Sequence, residues 1–178
     1  METLPDYLTA GLDLVFVVLN PGLQSARTGH YFASPRNRFW RTANRAGIFD
    51  PPIWAEEDRR AVEQGIGFTD MAKRGSDGAS DLHAADFKRW APVLKARLER
   101  FSPRIVCFHS VVAYGNFLKY GLGDTESPGL GPQHREIGIS KVFVTPNPSP
   151  ANAVYSMDDL IVWHARLRAF REELARDR

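Results

Sequence analysis

An α/β fold is predicted, with residues 1–178 forming a single three-layer α/β/α domain around a central, mostly parallel sheet of about four strands. Three observations carry this expectation. Leu14 to Leu19 reads LVFVVL, an unbroken apolar run that is mostly β-branched or aromatic. Such a run suits a strand buried on both faces, as in a parallel sheet covered by helices. Two further runs, Arg104–Phe108 (RIVCF) and Lys141–Thr145 (KVFVT), alternate with stretches of helical period. No repeat, low-complexity tract or linker divides the 178 residues, a length that fits one substantial core.

The elements follow in order. The first strand runs into Leu19-Asn20-Pro21-Gly22. In open parallel sheets, ligands bind just beyond the carboxyl ends of the strands. Asn20 there is a neutral donor and acceptor beside a proline-stiffened turn, and Gly22 allows close approach to the backbone. The same residues also suit an ordinary strand-to-turn exit. Arg38, Arg41 and Arg45 fall on one face of a predicted helix, placed either to meet phosphates or simply to be solvated. Phe87, Trp90, Leu94, Leu98 and Phe101 recur at spacings of three or four, giving an amphipathic helix that ends at Ser102-Pro103. The strand Arg104–Phe108 comes next, then a helix over His109–Tyr120 closed by Gly121. Gly121 to Gly138 holds five glycines and two prolines and reads as a loop or hairpin. The strand Lys141–Thr145 ends in a second polar turn, Pro146-Asn147-Pro148-Ser149-Pro150. Two Asn-Pro turns, each closing a buried strand, can face one another across one edge of one sheet. Ser156 and Asp159 fit a capping box. The helix that they start carries Leu160, Trp163, Leu167, Phe170 and Leu174 on one face.

Composition narrows the function. The apolar share of 43% and charged share of 25% are those of an ordinary globular protein. A net charge of +2 excludes a general polyanion-coating protein. The apolar runs are too short to span a bilayer, METLPDY has no signal pattern, and no membrane association is expected. The one cysteine, Cys107, lies inside a predicted strand, which points to a reducing, cytoplasmic setting without disulfides. His83, His109, His134 and His164 stand apart at no metal-binding spacing, and neither H-E-x-x-H nor a P-loop is present. No metal and no cofactor are therefore expected.

The residues resemble a known family. LNPGLQSARTGHYFASPRNRFW, from Leu19 to Trp40, is similar to the first motif of the mismatch-specific uracil/thymine-DNA glycosylases, NPGLxSxxxGxxFxxPxNRFW in outline. Asn147-Pro148-Ser149-Pro150 resembles, less faithfully, their second, DNA-inserting motif. GIGFTDMAKRGS and SPRIVCFHSVVAYGNF follow the family in order between the two, and the resemblance runs from Gly11 to Leu174.

This resemblance implies a monofunctional, monomeric enzyme. It would extrude uracil from DNA, and also thymine or enlarged pyrimidine adducts in G mispairs, and hydrolyse the N-glycosidic bond. Its partner is DNA, double-stranded with a mispaired or damaged base, and single strands are also open to it. By the same resemblance Asn20 positions the attacking water and Phe32 stacks on the base. Leu19, Pro21, Gly22, Ser25, Tyr31 and Asn147 complete the substrate contacts. Asn37, Arg38, Ser149, Pro150, Ala151 and Asn152 form the DNA face. Gly22 lacks the bulky side chain that would shut out a 5-methyl group. Other branches of uracil glycosylases carry an iron–sulfur cluster on four cysteines, which a chain with one cysteine cannot build.

The chain departs from its relatives at two places. Pro150-Ala151-Asn152-Ala153 stands where close relatives have a leucine wedge followed by an arginine that reads the partner guanine, so tolerance of the opposite base is expected; Tyr155 is one possible substitute wedge. Asp70 stands where several relatives have lysine or another non-acidic residue. A carboxylate there can take a proton from the attacking water, or it can cap a turn or pair with Lys73 or Arg74. Two other functions stay open: a lesion-recognition module without turnover, and a hydrolase of free nucleosides. A Schiff base through Lys141 or Lys73 is not expected.

Overall fold

The computed structural model of the protein describes residues 3–77 and 81–177. Its sheet has the order β2-β1-β3-β5-β4. β1 (Leu14–Val18), β2 (Ile66–Asp70), β3 (Ile105–His109) and β5 (Lys141–Thr145) are all parallel. β4 (Gly131–Pro132) adds a two-residue antiparallel edge inside the glycine-rich segment. The sheet therefore has the expected four parallel strands and a short fifth. Ile66–Asp70 has no strong strand signature in the sequence, because Gly65 and Gly67 interrupt it. β-pairing with Leu14–Val18 overrides that weakness.

Alternation along the strands separates two cores. Leu14, Phe16, Val18, Ile66, Phe68, Ile105, Cys107 and Phe143 face one side. Val15, Val17, Val106, Phe108, Val142 and Val144 face the other. Two helices cover the first side, α2 (Phe39–Arg45) and α5 (Met157–Arg176), while α1 (Leu23–Thr28) follows the first Asn-Pro turn. The second side is covered by α3 (Ala84–Phe101) and α4 (Val111–Gly121). A 3-10 segment, Ala55–Gln64, leads into β2.

Several boundaries differ from the sequence reading. His109 does not open a helix; it is the last residue of β3, and the Ser110 hydroxyl caps α4 by accepting from the Ala113 amide at 3.1 Å. On α5 the buried stripe is Leu160, His164 and Leu167, while Trp163 is only half-buried under Arg166. Trp163 and His164 flank the Leu160–Leu167 line on opposite sides, and it is the His164 side that is buried. The Ser156–Asp159 capping box forms as expected, with reciprocal bonds of 3.1 and 2.9 Å.

The N-terminal segment is strapped along β2. Tyr7 and Phe68 exchange backbone bonds of 2.9 and 3.1 Å, and Asp6 pairs with Lys73 and Arg97 at 2.5 and 3.1 Å. Gly67 permits this contact, since a Cβ there would lie 2.2 Å from the Tyr7 carbonyl oxygen. Gly67→Ala should accordingly lower stability by about 1–3 kcal/mol in urea unfolding, the usual cost of overpacking. An unchanged midpoint would mean that the strap detaches without cost.

Candidate active site

The strand order reverses at β1. The chain passes from β1 to β2 on one side and then to β3 on the other. The carboxyl ends of β1 and β3 therefore flank a topological switch point, where open α/β sheets bind ligands. Asn20 and His109 stand there. Asp70 pairs with Val18, and His109 with Thr145. Continuing the β1–β3 register by one residue sets His109 beside Val18. The result is a row across the sheet: Asp70, Val18, His109, Thr145. All four belong to the face covered by α2 and α5. Asn20 and Asn147 follow one alternation step beyond Val18 and Thr145, so both Asn-Pro turns lie at one edge with β3 between them.

The Asn20 carboxamide is oriented by the chain leaving β2. Its Nδ2 donates to the Arg74 carbonyl at 2.8 Å and to Ser76 Oγ at 2.6 Å. Met71 and Ala72 amides bond the Val18 and Leu19 carbonyls, and the Ser76 amide bonds the Pro21 carbonyl at 3.1 Å. Because a backbone carbonyl can only accept, the amide faces one way, and Asn20 Oδ1 is left without a partner among the described residues. Gly22 has φ −67°, and a Cβ there would meet nothing within 4 Å.

Phe32 sits on a pinned, strained loop. Its φ is +52°, a left-handed value uncommon for a bulky residue. The backbone on both sides is held. The Tyr31 amide donates to Asp58 at 2.8 Å, the Tyr31 carbonyl accepts from Trp40 Nε1 at 3.0 Å, and the Ala33 amide donates to Ser25 Oγ at 3.1 Å. Asp58 is wholly buried and also accepts from the Tyr7 hydroxyl at 3.0 Å. The Phe32 amide itself bonds no described residue. The Phe32 ring stacks on Phe39 with centroids 4.1 Å apart.

Asp70 is fully buried. Its Oδ2 accepts from Lys73 Nζ at 2.7 Å, while Oδ1 has no partner among the described residues. Burial pushes the carboxyl up to about 6, against the opposing pull of Lys73. The ion pair foreseen as one alternative for Asp70 is thus formed with Lys73, and no helix cap is involved.

Other residues serve the frame rather than the opening. Leu19 packs into the opposite core with Val17 and Met71, because alternation turns it away from Asn20. Tyr31 is only 1% exposed, stacks on Phe68, and sends its hydroxyl to the Pro5 carbonyl at 2.7 Å. Ser25 and Pro21 are buried, and Ser25 is occupied by Ala33. Asn37 Oδ1 caps α2 through the Phe39 amide at 2.9 Å.

Arg38 corrects the expectation that it meets phosphate. Its guanidinium donates to the Tyr155, Ser149 and Asn152 carbonyls at 2.7, 3.1 and 2.9 Å. It clamps the second Asn-Pro turn to the first motif. Asn152 is likewise spent internally, donating to the Asn147 carbonyl at 3.0 Å and accepting from the Val154 amide at 3.3 Å. Asn147 Oδ1 accepts from the Ser149 amide at 2.9 Å, and the Ser149 hydroxyl from the Ala151 amide at 3.2 Å. Pro150 and Ala151 are exposed.

Residues 5–174 match the family described as the Uracil DNA glycosylase superfamily. The chain belongs to that superfamily. Membership implies uracil DNA glycosylase activity, a hydrolysis in base excision repair, with DNA as the substrate. The fold is also similar to the solution NMR structure of a candidate uracil DNA glycosylase from Methanosarcina acetivorans. The TM-score is 0.58 at 22% identity, over 94% of this chain and 96% of the other. At that identity the likeness speaks for the three-layer fold. Among the described residues no helix is long and apolar enough to cross a membrane, and no three His, Cys, Asp or Glu side chains gather as metal ligands do.

The residue that sequence reading missed is His109. Its signal was present, a histidine closing an apolar run, but it was assigned to the helix that follows.

The Arg38 clamp is testable. A lysine can supply one point donor but not a planar fork, so Arg38→Lys should loosen the loop. Amide hydrogen exchange at Asn152 and Val154 should quicken at least tenfold while β3 stays protected; unchanged exchange would assign the loop's order to its internal bonds.

Proposed function

We propose that the protein is a mismatch-tolerant, metal-free uracil-DNA glycosylase of the uracil/thymine type, with Asn20 and Asp70 as its catalytic pair. The observation that carries this reading is the locked Asn20 carboxamide, whose Nδ2 is doubly tied and whose Oδ1 is open. An oxygen acceptor fixed at a switch point holds a water by one of its hydrogens and aims the water oxygen. The substrate nucleotide is extruded from the duplex, because the N-glycosidic bond is out of reach in the stack. Its base lies against Phe32, and the free Phe32 amide is a donor for a base oxygen. The water oxygen bonds to C1′ as the bond to the base nitrogen breaks. The electron pair leaves with the base, and the water proton passes to Asp70 Oδ1. Lys73 keeps enough of the buried carboxyl ionised at neutral pH for it to accept that proton.

The surface around the opening fits DNA of either pairing. Arg36, Arg41 and Arg45 are exposed and make no ion pair among the described residues, which leaves them for phosphates. Val154 is 81% exposed on the clamped loop, whereas Tyr155 is half-buried with its carbonyl held by Arg38. Val154 is therefore the apolar side chain placed to enter the gap left by an extruded base. A small wedge whose neighbouring arginine, Arg38, is taken up by backbone carbonyls recognises the partner base weakly, which favours activity on uracil opposite guanine, opposite adenine and in single strands. The nucleoid-bearing cytoplasm is the corresponding location.

Two outcomes are expected from single-turnover cleavage of labelled oligonucleotides with chelator present. Asn20→Ala should lose most cleavage while holding DNA as tightly as wild type; parallel loss of binding would make Asn20 a purely structural residue. Wild-type rate should fall tenfold per pH unit below about 6, whereas Asp70→Asn should be flat with pH and slower by roughly 10²–10⁴-fold. Identical profiles would remove Asp70 from the chemistry.

Gly22 offers a separate check. Its ordinary φ and open surroundings mean that Gly22→Phe should fold normally. Thymine release from G mispairs should drop at least tenfold more than uracil release, as the ring occupies the space of a 5-methyl group. Equal effects on both bases would place Gly22 away from the pyrimidine C5 edge.

A further inference from the structure

Neither ring nitrogen of His109 has a hydrogen-bond partner among the described residues, although the residue is only 1% exposed. An unpaired buried imidazole is costly, whereas a phenyl ring at the same place carries no such cost. The surroundings would suit phenyl well, since the ring centres of Phe16, Phe39 and Phe32 lie 5.0, 5.3 and 5.5 Å away. The position is equally particular. His109 ends β3 at the switch point, between the strand ends that lead into Asn20 and Asn147, and its plane is inclined at 62° to the Phe32 ring.

His164 lies beside it, the two ring centres 5.7 Å apart. His164 Nδ1 donates to the Leu160 carbonyl at 2.8 Å, so its Nε2 is a lone-pair acceptor, also without a partner. Burial holds His109 well below the ordinary imidazole range and pushes His164 down to about 4. An uncharged imidazole carries one donor and one acceptor and exchanges them between tautomers. That pairing complements the alternating C=O and N–H groups on the imide edge of uracil and thymine. A phosphate or sugar hydroxyl offers no such alternation.

We propose that His109 is a base-reading residue, which hydrogen-bonds the imide edge of a pyrimidine seated against Phe32. This rests on the glycosylase reading of the site, and the test separates the two. Two oligonucleotides of one sequence would be titrated into wild type, His109→Phe, His109→Ala and His109→Gln. One carries 2′-fluoro-2′-deoxyuridine, whose fluorine resists cleavage; the other carries a tetrahydrofuran abasic analogue. His109→Phe should weaken binding of the uracil strand by about 10- to 100-fold, the worth of a buried hydrogen bond. Binding of the abasic strand should be unchanged, and the glutamine variant should recover most of the loss. The Tm of His109→Phe should equal or exceed that of wild type, because an unpaired polar ring has gone. Should the phenyl ring disrupt folding, His109→Ala, which removes volume, carries the same comparison. Single-turnover release of natural uracil should fall by the same factor as binding.

The proposal is overturned if His109→Phe or His109→Ala prefers the uracil strand as strongly as wild type, or if wild type shows no preference for it. Failure of the glycosylase reading looks different. Wild type would then prefer the uracil strand yet release no natural uracil, and that preference in the variants would still judge His109.

Discussion

Because β1, β2, β3 and β5 run parallel and end in register, side-chain alternation decides where every polar group near the switch point emerges. Asp70, His109 and Thr145 leave the sheet on the side of Val18, and Leu19 leaves on the other. A slip of one residue in β3 would send His109 into the packing of α3 and α4 and bring Phe108 to the opening. Such a slip would bury an imidazole among Leu94, Phe117 and Val144 and is strongly disfavoured. The apolar alternation that builds two cores thus also fixes the chemistry of one edge. Asp70 persists as a buried carboxyl only because Lys73 is 2.7 Å away, itself steadied by Asp6 and the Leu4 carbonyl.

A second set of constraints holds the Phe32 loop. A left-handed phenylalanine relaxes unless its neighbours forbid it. Here Asp58, Trp40 and Ser25 each take a backbone group adjacent to Phe32, and Asp58 is fixed in turn by the Tyr7 hydroxyl. The Tyr7 segment is the strap that Gly67 admits, so a glycine in β2 supports an aromatic ring that packs over Phe68 and His109. The dense run of motif residues from Leu19 to Trp40 becomes intelligible in these terms. Ser25, Tyr31 and Trp40 are spent on the geometry of one residue between them.

The fold was legible where a single period dominated. The runs at Leu14, Arg104 and Lys141, the stripe from Phe87 to Leu98 and the Ser156 capping box each needed only local physics. β2 was not, because its glycines hide a strand that exists through pairing with β1. His109 and His164 were read as isolated, and rightly so along the chain; tertiary packing alone sets their rings 5.7 Å apart. Arg38 shows the opposite failure. Its place in an arginine-rich run suggested phosphate, yet the carbonyls that it binds lie more than 110 residues away. No sequence window contains them. The pairing of Asp70 with Lys73, three residues apart, could be foreseen, whereas the complete burial of that pair's carboxyl could not.

The inward turn of Arg38 has a consequence for behaviour in solution. Each phosphate neutralised on duplex DNA releases counterions and adds roughly 0.9 to the slope of log affinity against log salt. An arginine that binds carbonyls within its own chain releases none. Over residues 19–45, Arg27, Arg36, Arg41 and Arg45 then remain to contribute, a slope of about 3.6 at most from that stretch. The order of the second turn is supplied before any nucleic acid arrives and is indifferent to ionic strength. Under the glycosylase reading, this stretch grips undamaged DNA lightly, and longer residence at one nucleotide falls to the pocket around Asn20 and Phe32.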